Sequence, residues 1–162
     1  MKVYHFLPSQ FALEDLRKRR VKISRLNELN DPFELVAADN SGKEQRTIWE
    51  NWRKAQVQKW GLVCFSKTWR NPLLWSHYAD RHRGMCLGFE IPDKHLIQVT
   101  YTKKRLNLDI LELYEQGELT REHMSKVFKT KFSDWSYERE SRVYAQLESE
   151  DPDTAHYFHS FD

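Results

Sequence analysis

Cysteine is scarce in this sequence, and its scarcity excludes two classes of small protein. The 162 residues include two Cys, too few for the disulfide framework of a small secreted domain. Neither Cys64 nor Cys86 stands at a metal-ligand spacing from another Cys or from a His. We therefore expect both to be buried, reduced thiols on neighbouring strands of a protein that holds no metal.

Long apolar runs are absent as well. No run approaches the ~20 residues that a membrane-spanning helix needs, and Met1-Lys2 leads directly into a strand-like segment instead of a secretion signal. The length predicts a single domain over residues 1–162, with no linker and no internal repeat. We expect a soluble, cytoplasmic protein with no membrane partner and an oligomeric state that the sequence does not indicate.

Charge of one sign is not in excess. The net charge of +2 is too small to indicate a nucleic-acid partner by itself. The basic run at 17–20 is typical of the solvated end of a helix, where cations favour the helix dipole. Nucleic-acid binding would need a continuous basic face, which we do not find elsewhere in the sequence.

The common catalytic motifs are missing: there is no GxGxxG, P-loop, HExxH or GxSxG pattern. Aromatic residues, by contrast, are abundant, with six Trp, seven Tyr and nine Phe. Because each buries a large area, we expect aromatic side chains more than aliphatic ones to hold the core.

The stretch from Gly61 to Ile91 is the one around which we expect the chain to be organised. It predicts a strand that ends at Ser66, a helix from Pro72 to about Arg81 capped by Asn71, and a second strand after Gly84. Residues three and four apart share a helix face. This places Leu74, Trp75 and Tyr78 together, and it brings Ser66, His77 and Tyr78 into one neighbourhood.

Further elements are predicted on both sides of this unit. Ser9 should cap a helix that turns Phe11, Leu13 and Leu16 inward. The turn at 30–34, NDPFE, should act as a clamp in which Asp31 bonds backbone amides and Phe33 is buried. Helices are predicted at 43–60, 106–114 and 121–132, the last capped by Thr120 and packed through Met124, with strands at 3–7, 21–24, 99–101 and 156–161.

Two acidic residues near the end of the chain have two interpretations. If the segment at 134–145 is extended, Glu138, Glu140 and Arg142 point to one face. The three could form a salt-bridged strand surface. Alternatively, the two carboxylates could face a cleft, where one binds ribose hydroxyls and the other acts as a base. Spacing does not choose between these hypotheses.

Four longer motifs carry a resemblance. They are NDPFE at 30–34, CFS at 64–66, WSHYA at 75–79 and WSYERESR at 135–142. Together they resemble an uncharacterised prokaryotic and phage family of unknown function, over the chain from Tyr4 to about Tyr144. That family has no settled activity, so this resemblance implies no reaction.

The order of motifs also resembles that of the ADP-ribosyltransferase superfamily. The resemblance implies an α+β fold in which small split β-sheets surround a cleft and helices brace them. It further implies NAD as substrate, with Glu140 as the ribose-binding catalytic carboxylate and Glu138 as the residue that orients the acceptor. The residues around NAD would be His5, Ser66, Trp75, Tyr78 and Arg142. The first resembled family often has Lys in place of His5.

This second resemblance predicts an enzyme that cleaves NAD and transfers ADP-ribose to an unknown protein or nucleic-acid acceptor, as a toxin or in phage defence. The alternative is a non-enzymatic module that binds a nucleotide or a protein segment. The enzyme hypothesis requires Glu140, His5, Ser66 and Tyr78 around one open cleft. The binding-module hypothesis allows Glu138 and Glu140 to be paired with Arg142 or with lysines.

Overall fold

The computed structural model describes residues 1–31, 42–104, 106, 112 and 121–162. In chain order the elements are β1 (Lys2–Leu7), α1 (Ser9–Lys18), β2 (Arg20–Arg25), α2 (Lys43–Val57), β3 (Trp60–Ser66), α3 (Pro72–Tyr78), β4 (Met85–Glu90), β5 (Ile97–Gln98), β6 (Thr100–Thr102), α4 (Arg121–Phe128), β7 (Thr130–Phe132), β8 (Glu140–Gln146) and β9 (Tyr157–Ser160). Short 3₁₀ turns occupy Asp93–His95 and Ser133–Glu138. The fold is therefore mixed α+β.

Seven of these strands form one antiparallel sheet that curls into a half-barrel. Its central strand is β3, which pairs along its whole length with β8. The strand order on the other side runs β4-β1-β3-β2-β9. A separate two-stranded parallel sheet joins β6 to β7. The resemblance implied two small split sheets; the strands instead form one curled sheet and this short parallel pair.

The edge of β3 opposite β8 pairs with two different strands. Near its start, β3 pairs with β2 through Leu62 and Ser24; at its end, it pairs with β1 through Ser66 and Tyr4. Since β8 occupies the opposite edge throughout, β1 and β2 must diverge from the same edge of β3. We call this divergence of β1 from β2 the fork. It positions the cavity described below.

Short-range sequence signals determine the structure between β3 and β4. The side chain of Asn71 accepts a hydrogen bond from the Leu73 N–H, and Pro72 occupies the first turn, as the sequence predicts. Gly84 is required because a Cβ there would come within 2.4 Å of the Leu7 carbonyl oxygen. The helix ends at Tyr78, earlier than predicted, because residues 80–82 adopt positive φ angles.

The core lies on both faces of the sheet. On one face, Leu62 and Leu26 pack against Trp49 of α2 and Val127 of α4. On the other face, Phe65 packs with an aliphatic cluster of Val3, Val21, Ile23, Val63 and Leu96. The expectation of an aromatic core is wrong. Among the described residues, the aromatic side chains that are buried are Phe6, Trp49 and Phe65, whereas Phe11, Trp69 and Phe132 are about half exposed.

The inward face of α1 was also predicted wrongly. Phe11, Leu13 and Leu16 are about half exposed, and the buried residues of this helix are Ala12 and Asp15. Ala12 packs with Leu7 and Leu87, where its small side chain lets the helix lie close to the sheet. Ser9 is the first helical residue and not the cap, and its hydroxyl donates to the Arg83 carbonyl.

Three further assignments need correction. β1 lies between β3 and β4, so Cys64 and Cys86 are not on neighbouring strands. The predicted helix at 121–132 ends at Phe128, and Thr130–Phe132 form β7. Glu138 belongs to a 3₁₀ turn that precedes β8, so it does not share a strand with Glu140. The predictions for Phe33, Thr120, the helix at 106–114 and the Met124 side chain fall outside the described residues.

Candidate functional site

A cavity of about 680 Å³ lies at the fork. Its volume is within the range of about 300 to 1,000 Å³ that is usual for small-molecule sites. Strands β1, β2 and β3, helices α1 and α3, and the ends of β7, β8 and β9 all contribute to its wall. The aromatic lining residues are Tyr4, His5, Phe6, Phe11, Phe65, Tyr78, His156 and Phe158, and the charged ones are Glu14, Asp15, Lys22, Glu28, Lys131, Glu138 and Glu140.

His5 ties β1 to β3 at the cavity wall. Its Nδ1 lies 2.8 Å from the backbone carbonyl oxygen of Cys64. Because a carbonyl only accepts, Nδ1 must carry the proton. Burial lowers the pKa of His5, and the bond to the Cys64 carbonyl opposes this shift only in part. The imidazole is therefore neutral at physiological pH.

Ser66 fixes the turn that carries Glu138. Its hydroxyl donates to the Glu138 carbonyl at 2.6 Å and accepts from the Thr68 N–H at 3.1 Å. Asn71 adds a second tie, since its side-chain amide donates to the Tyr137 carbonyl at 3.0 Å. Ser66 lines the cavity, but both of these contacts serve backbone positioning.

Tyr78 meets the carboxylate of Glu138. Its hydroxyl donates to Glu138 Oε1 at 2.5 Å. Burial raises the pKa of Tyr78, and the neighbouring Glu138 charge raises it further, so the phenol remains a donor. Helix α3 thus delivers both an aromatic ring and a hydrogen-bond donor to the cavity wall, as its sequence pattern predicts.

Lys131, on β7, bridges the two glutamates. Its Nζ lies 2.6 Å from Glu138 Oε2 and 3.1 Å from Glu140 Oε2. Arg142 completes the arrangement, with Nε 2.7 Å from Glu140 Oε1 and Nη2 3.0 Å from Glu140 Oε2. We call Lys131, Glu138, Glu140 and Arg142 the buried charge network. Its glutamates are each only 4% exposed, and Arg142 is fully buried.

The two carboxyl groups of this network are shifted in opposite directions. Burial raises the pKa of Glu138, and Lys131 and Tyr78 compensate only in part. Burial also opposes ionisation of Glu140, but Arg142 and Lys131 outweigh it and lower the pKa of Glu140 to about 2. Glu140 is therefore a permanent anion, while Glu138 is the carboxyl group that can exchange a proton closer to neutrality.

Arg142 and Trp75 lie apart from the cavity lining. The Arg142 guanidinium bonds Glu140 and donates to the Phe128 carbonyl at 2.7 Å, behind the wall formed by β3 and β8. Trp75 donates from Nε1 to the Trp69 carbonyl and lines a separate surface groove with Trp69, Tyr4 and Cys86. Neither side chain is among those that line the cavity.

His77 also points away from the site. Its ring packs against Trp135 and Tyr137 at centroid distances of 6.3 and 6.2 Å. The structure therefore brings together His5, Ser66, Tyr78, Glu138 and Glu140 out of the residues considered from the sequence.

Sequence reasoning missed the charged residues of the cavity other than Glu138 and Glu140, among them Lys131 and Asp15. Lys131 fell within the helix predicted at 121–132, although its position seven residues before Glu138 could have suggested a compensating cation. Asp15 was missed because Phe11, Leu13 and Leu16 predict the inward face of α1, whereas these three residues are about half exposed and Asp15 is buried. No local pattern marks a carboxylate that faces a cavity.

Within the described residues, no cluster of three or more His, Cys, Asp or Glu side chains could hold a metal ion. In the same part of the chain, no helix is both long and apolar enough to cross a bilayer.

Comparison with known proteins gives one match. A family model described as a protein of unknown function (DUF2971) matches residues 74–143, which include α3 from Leu74 onward, Lys131 and both glutamates of the buried charge network. No curated protein and no solved structure matches the chain. The similarity therefore extends to an uncharacterised family and carries no activity with it.

Proposed function

We propose that the cavity binds NAD and that the chain cleaves the bond between nicotinamide and ribose, transferring ADP-ribose to an acceptor. The observation that supports this proposal is the meeting of Glu138 and Glu140, whose pKa values are shifted in opposite directions, on the wall that also carries Tyr78. Two carboxyl groups with opposite pKa shifts suit cleavage of a glycosidic bond, because one stays charged while the other handles a proton.

In this reaction the bond from ribose C1′ to the nicotinamide nitrogen breaks, and its electron pair leaves with nicotinamide, which becomes neutral. The positive charge that develops on the ribose is stabilised by the Glu140 carboxylate. An acceptor nucleophile then forms the new bond to C1′ and gives its proton to Glu138. We place the nicotinamide ring beside Tyr78, whose ring excludes water from the reacting atoms.

The buried charge network sets a condition on this proposal. The carboxylate oxygens of Glu140 already accept bonds from Arg142 and Lys131. For ribose hydroxyls to reach Glu140, the ligand must share these oxygens with Lys131 or displace its amine. Arg142 then serves as a positioning residue, since it holds the Glu140 carboxylate from behind without touching the ligand.

The same pairing favours a second candidate, a non-enzymatic module that binds a nucleotide in the cavity. Glu138 and Glu140 are both neutralised by neighbouring cations and almost fully buried, as in a network that only stabilises the fold. In this case the aromatic wall would hold the ligand and no bond would break.

Incubation of the purified protein with NAD and candidate acceptors, followed by measurement of nicotinamide release, separates the two candidates. We expect Glu140→Gln to lower the rate on the order of a hundredfold or more, equivalent to about 3 kcal/mol of transition-state stabilisation. Glu138→Gln should lower the rate while the protein still binds NAD. The exposed Glu50→Gln, on α2, provides a matched control that should keep the parental rate.

Calorimetry of NAD binding by the parent protein provides the outcomes that would contradict the proposal. If the parent binds NAD but releases no nicotinamide, the binding module stands and the enzyme does not. If the parent binds no NAD at all, the enzyme proposal is refuted. Because Glu140→Gln removes the carboxylate that bonds Arg142, its thermal unfolding must be recorded, and Glu138→Gln supplies the rate comparison if Glu140→Gln is unfolded.

A further inference from the structure

One face of α1 turns toward the cavity. Phe11, Glu14 and Asp15 stand at positions i, i+3 and i+4 of the helix, which places them on one face, and all three line the cavity. Asp15 is only 5% exposed, although carboxylates are rarely buried without a partner. This wall is built by α1, β2 and the segment at 154–158, whereas the buried charge network lies on the wall formed by β7 and β8.

The other charges on this wall are paired with one another. Glu14 bonds Lys18 at 2.8 Å and Arg20 at 3.3 Å, and Arg20 also bonds Asp151 at 2.6 Å. The remaining opposite charges that line the wall, Lys22 and Glu28, lie 3.2 Å apart.

The Asp15 carboxylate, by contrast, makes no hydrogen bond or ion pair among the residues that the structure describes; Arg20 and Glu14 act on it only through their charges. A buried carboxylate with no bonded partner is costly to the folded state, which indicates a use for it.

We propose that Asp15 marks a second subsite of the cavity, which binds an organic cation, either an ammonium or a guanidinium group. A cation with N–H donors supplies the hydrogen bonds that the protein withholds from this carboxylate, and it adds its charge to that of Arg20. The ring of Phe11, about half exposed, lines the same wall and offers an aromatic face to the ligand. Phe158, on the same wall, already carries the Arg20 guanidinium 3.5 Å above its ring, so this wall holds one cation over an aromatic ring in the free protein.

The ionisation of Asp15 is compatible with this role. Burial raises the pKa of Asp15 to about 6, against the lowering effect of Arg20. At pH 7.5 most of the carboxyl groups are therefore ionised and available to a cation. The subsite does not depend on NAD as the ligand of the opposite wall, so it can be tested separately.

Calorimetry at pH 7.5 with three small probes tests the proposal: n-butylguanidine, n-butylamine and n-butylurea. Butylurea has the shape of butylguanidine without its charge. We expect the parent to bind one or both cations and to bind butylurea at least tenfold more weakly. The two cationic arms show whether the subsite prefers a guanidinium or an ammonium group, and either preference supports it.

Asp15→Asn should weaken cation binding at least tenfold while butylurea binding is unchanged. This variant should remain folded, because the amide removes a buried charge and keeps the shape of the side chain. Glu50→Gln, which removes one negative charge from an exposed position of α2, should bind the cations like the parent.

Two results would overturn the subsite: equal binding of butylguanidine and butylurea by the parent, or equal cation binding by the parent and Asp15→Asn. Neither result bears on NAD. Titration of the same proteins with NAD tests the proposed function independently, because its failure with cation binding intact would refute NAD and leave the subsite standing.

Discussion

At the scale of the residue, Lys131 offsets the repulsion between Glu138 and Glu140 in the buried charge network. Its amine lies within 3.1 Å of both Glu138 and Glu140, and the side chain is buried. Two carboxylates so close to each other repel unless a cation stands between them. Lys131, together with Arg142 beside Glu140, therefore permits an acidic pair at the cavity wall.

Lys131→Met should lower the free energy of unfolding by about 3 to 5 kcal/mol at pH 7, the usual cost of removing one partner from a buried ion pair. The loss should shrink at pH 4 to 5, because Glu138, whose pKa is raised, becomes protonated and loses its charge. Urea denaturation at the two pH values measures both quantities. The exposed Lys67→Met serves as the control and should change stability by less than about 0.5 kcal/mol.

Replacement of Asp15 should change the stability of the fold in the direction opposite to replacement of Lys131. Its pKa rises on folding from 3.8 to about 6, so its contribution to stability is present below pH 3.8 and is lost as the pH increases through 6. Asp15→Asn should therefore stabilise the free protein at pH 8, by about 2 kcal/mol, and leave it nearly unchanged at pH 4. Thermal unfolding of the parent and the variant at both pH values measures this. A variant that is less stable than the parent at pH 8 would show that Asp15 has a structural partner.

At the scale of the element, the loop after α3 is strained. Asp80, Arg81 and His82 have φ angles of 43°, 55° and 67°, so three successive residues with side chains adopt the left-handed conformation. Each such residue costs roughly 1 kcal/mol relative to glycine. Backbone bonds hold the turn, since the His82 N–H donates to the Trp75 carbonyl and the Gly84 N–H donates to the Ala79 carbonyl.

Replacement of Arg81 by glycine should consequently raise the stability, by about 0.5 to 1 kcal/mol, because glycine adopts positive φ without steric cost. The change should appear as a melting temperature a few degrees higher. Arg70→Gly, in an exposed loop where φ is not positive, should bring no gain and a small loss. An equal shift for the two variants would locate the effect in the lost charge and not in the backbone.

The elements that the sequence predicted well are those with local signals. Asn71 and Pro72 start α3, and Gly84 follows it, because capping and close approach depend on residues a few positions apart. The face of α1 could not be predicted in this way. The hydrophobic pattern of Phe11, Leu13 and Leu16 assumes that everything behind the helix is core, whereas here part of that space is a cavity.

At the scale of the whole molecule, strand pairing brought together what the sequence keeps apart. His5 reaches Cys64, Ser66 reaches the Glu138 carbonyl, and Tyr78 reaches the Glu138 side chain across 59, 72 and 60 positions. The order of motifs predicted that these residues lie together only through the resemblance to the ADP-ribosyltransferase superfamily. Residue spacing predicted that Glu138 and Glu140 lie on one face of a strand. The chain instead turns at Arg139, with a φ of 47°, and Lys131 bridges the two carboxylates.

The fork has a consequence for how any ligand is received. Because β1 and β2 pair with different parts of the same edge of β3, the opening between them follows from the hydrogen-bond pattern of the sheet, and the bond from His5 to the Cys64 carbonyl ties β1 to β3 beside it. No paired strands have to separate for a ligand to bind. Discrimination among ligands must therefore come from the side chains that line the cavity, and exchanging those side chains would change the ligand without changing the fold.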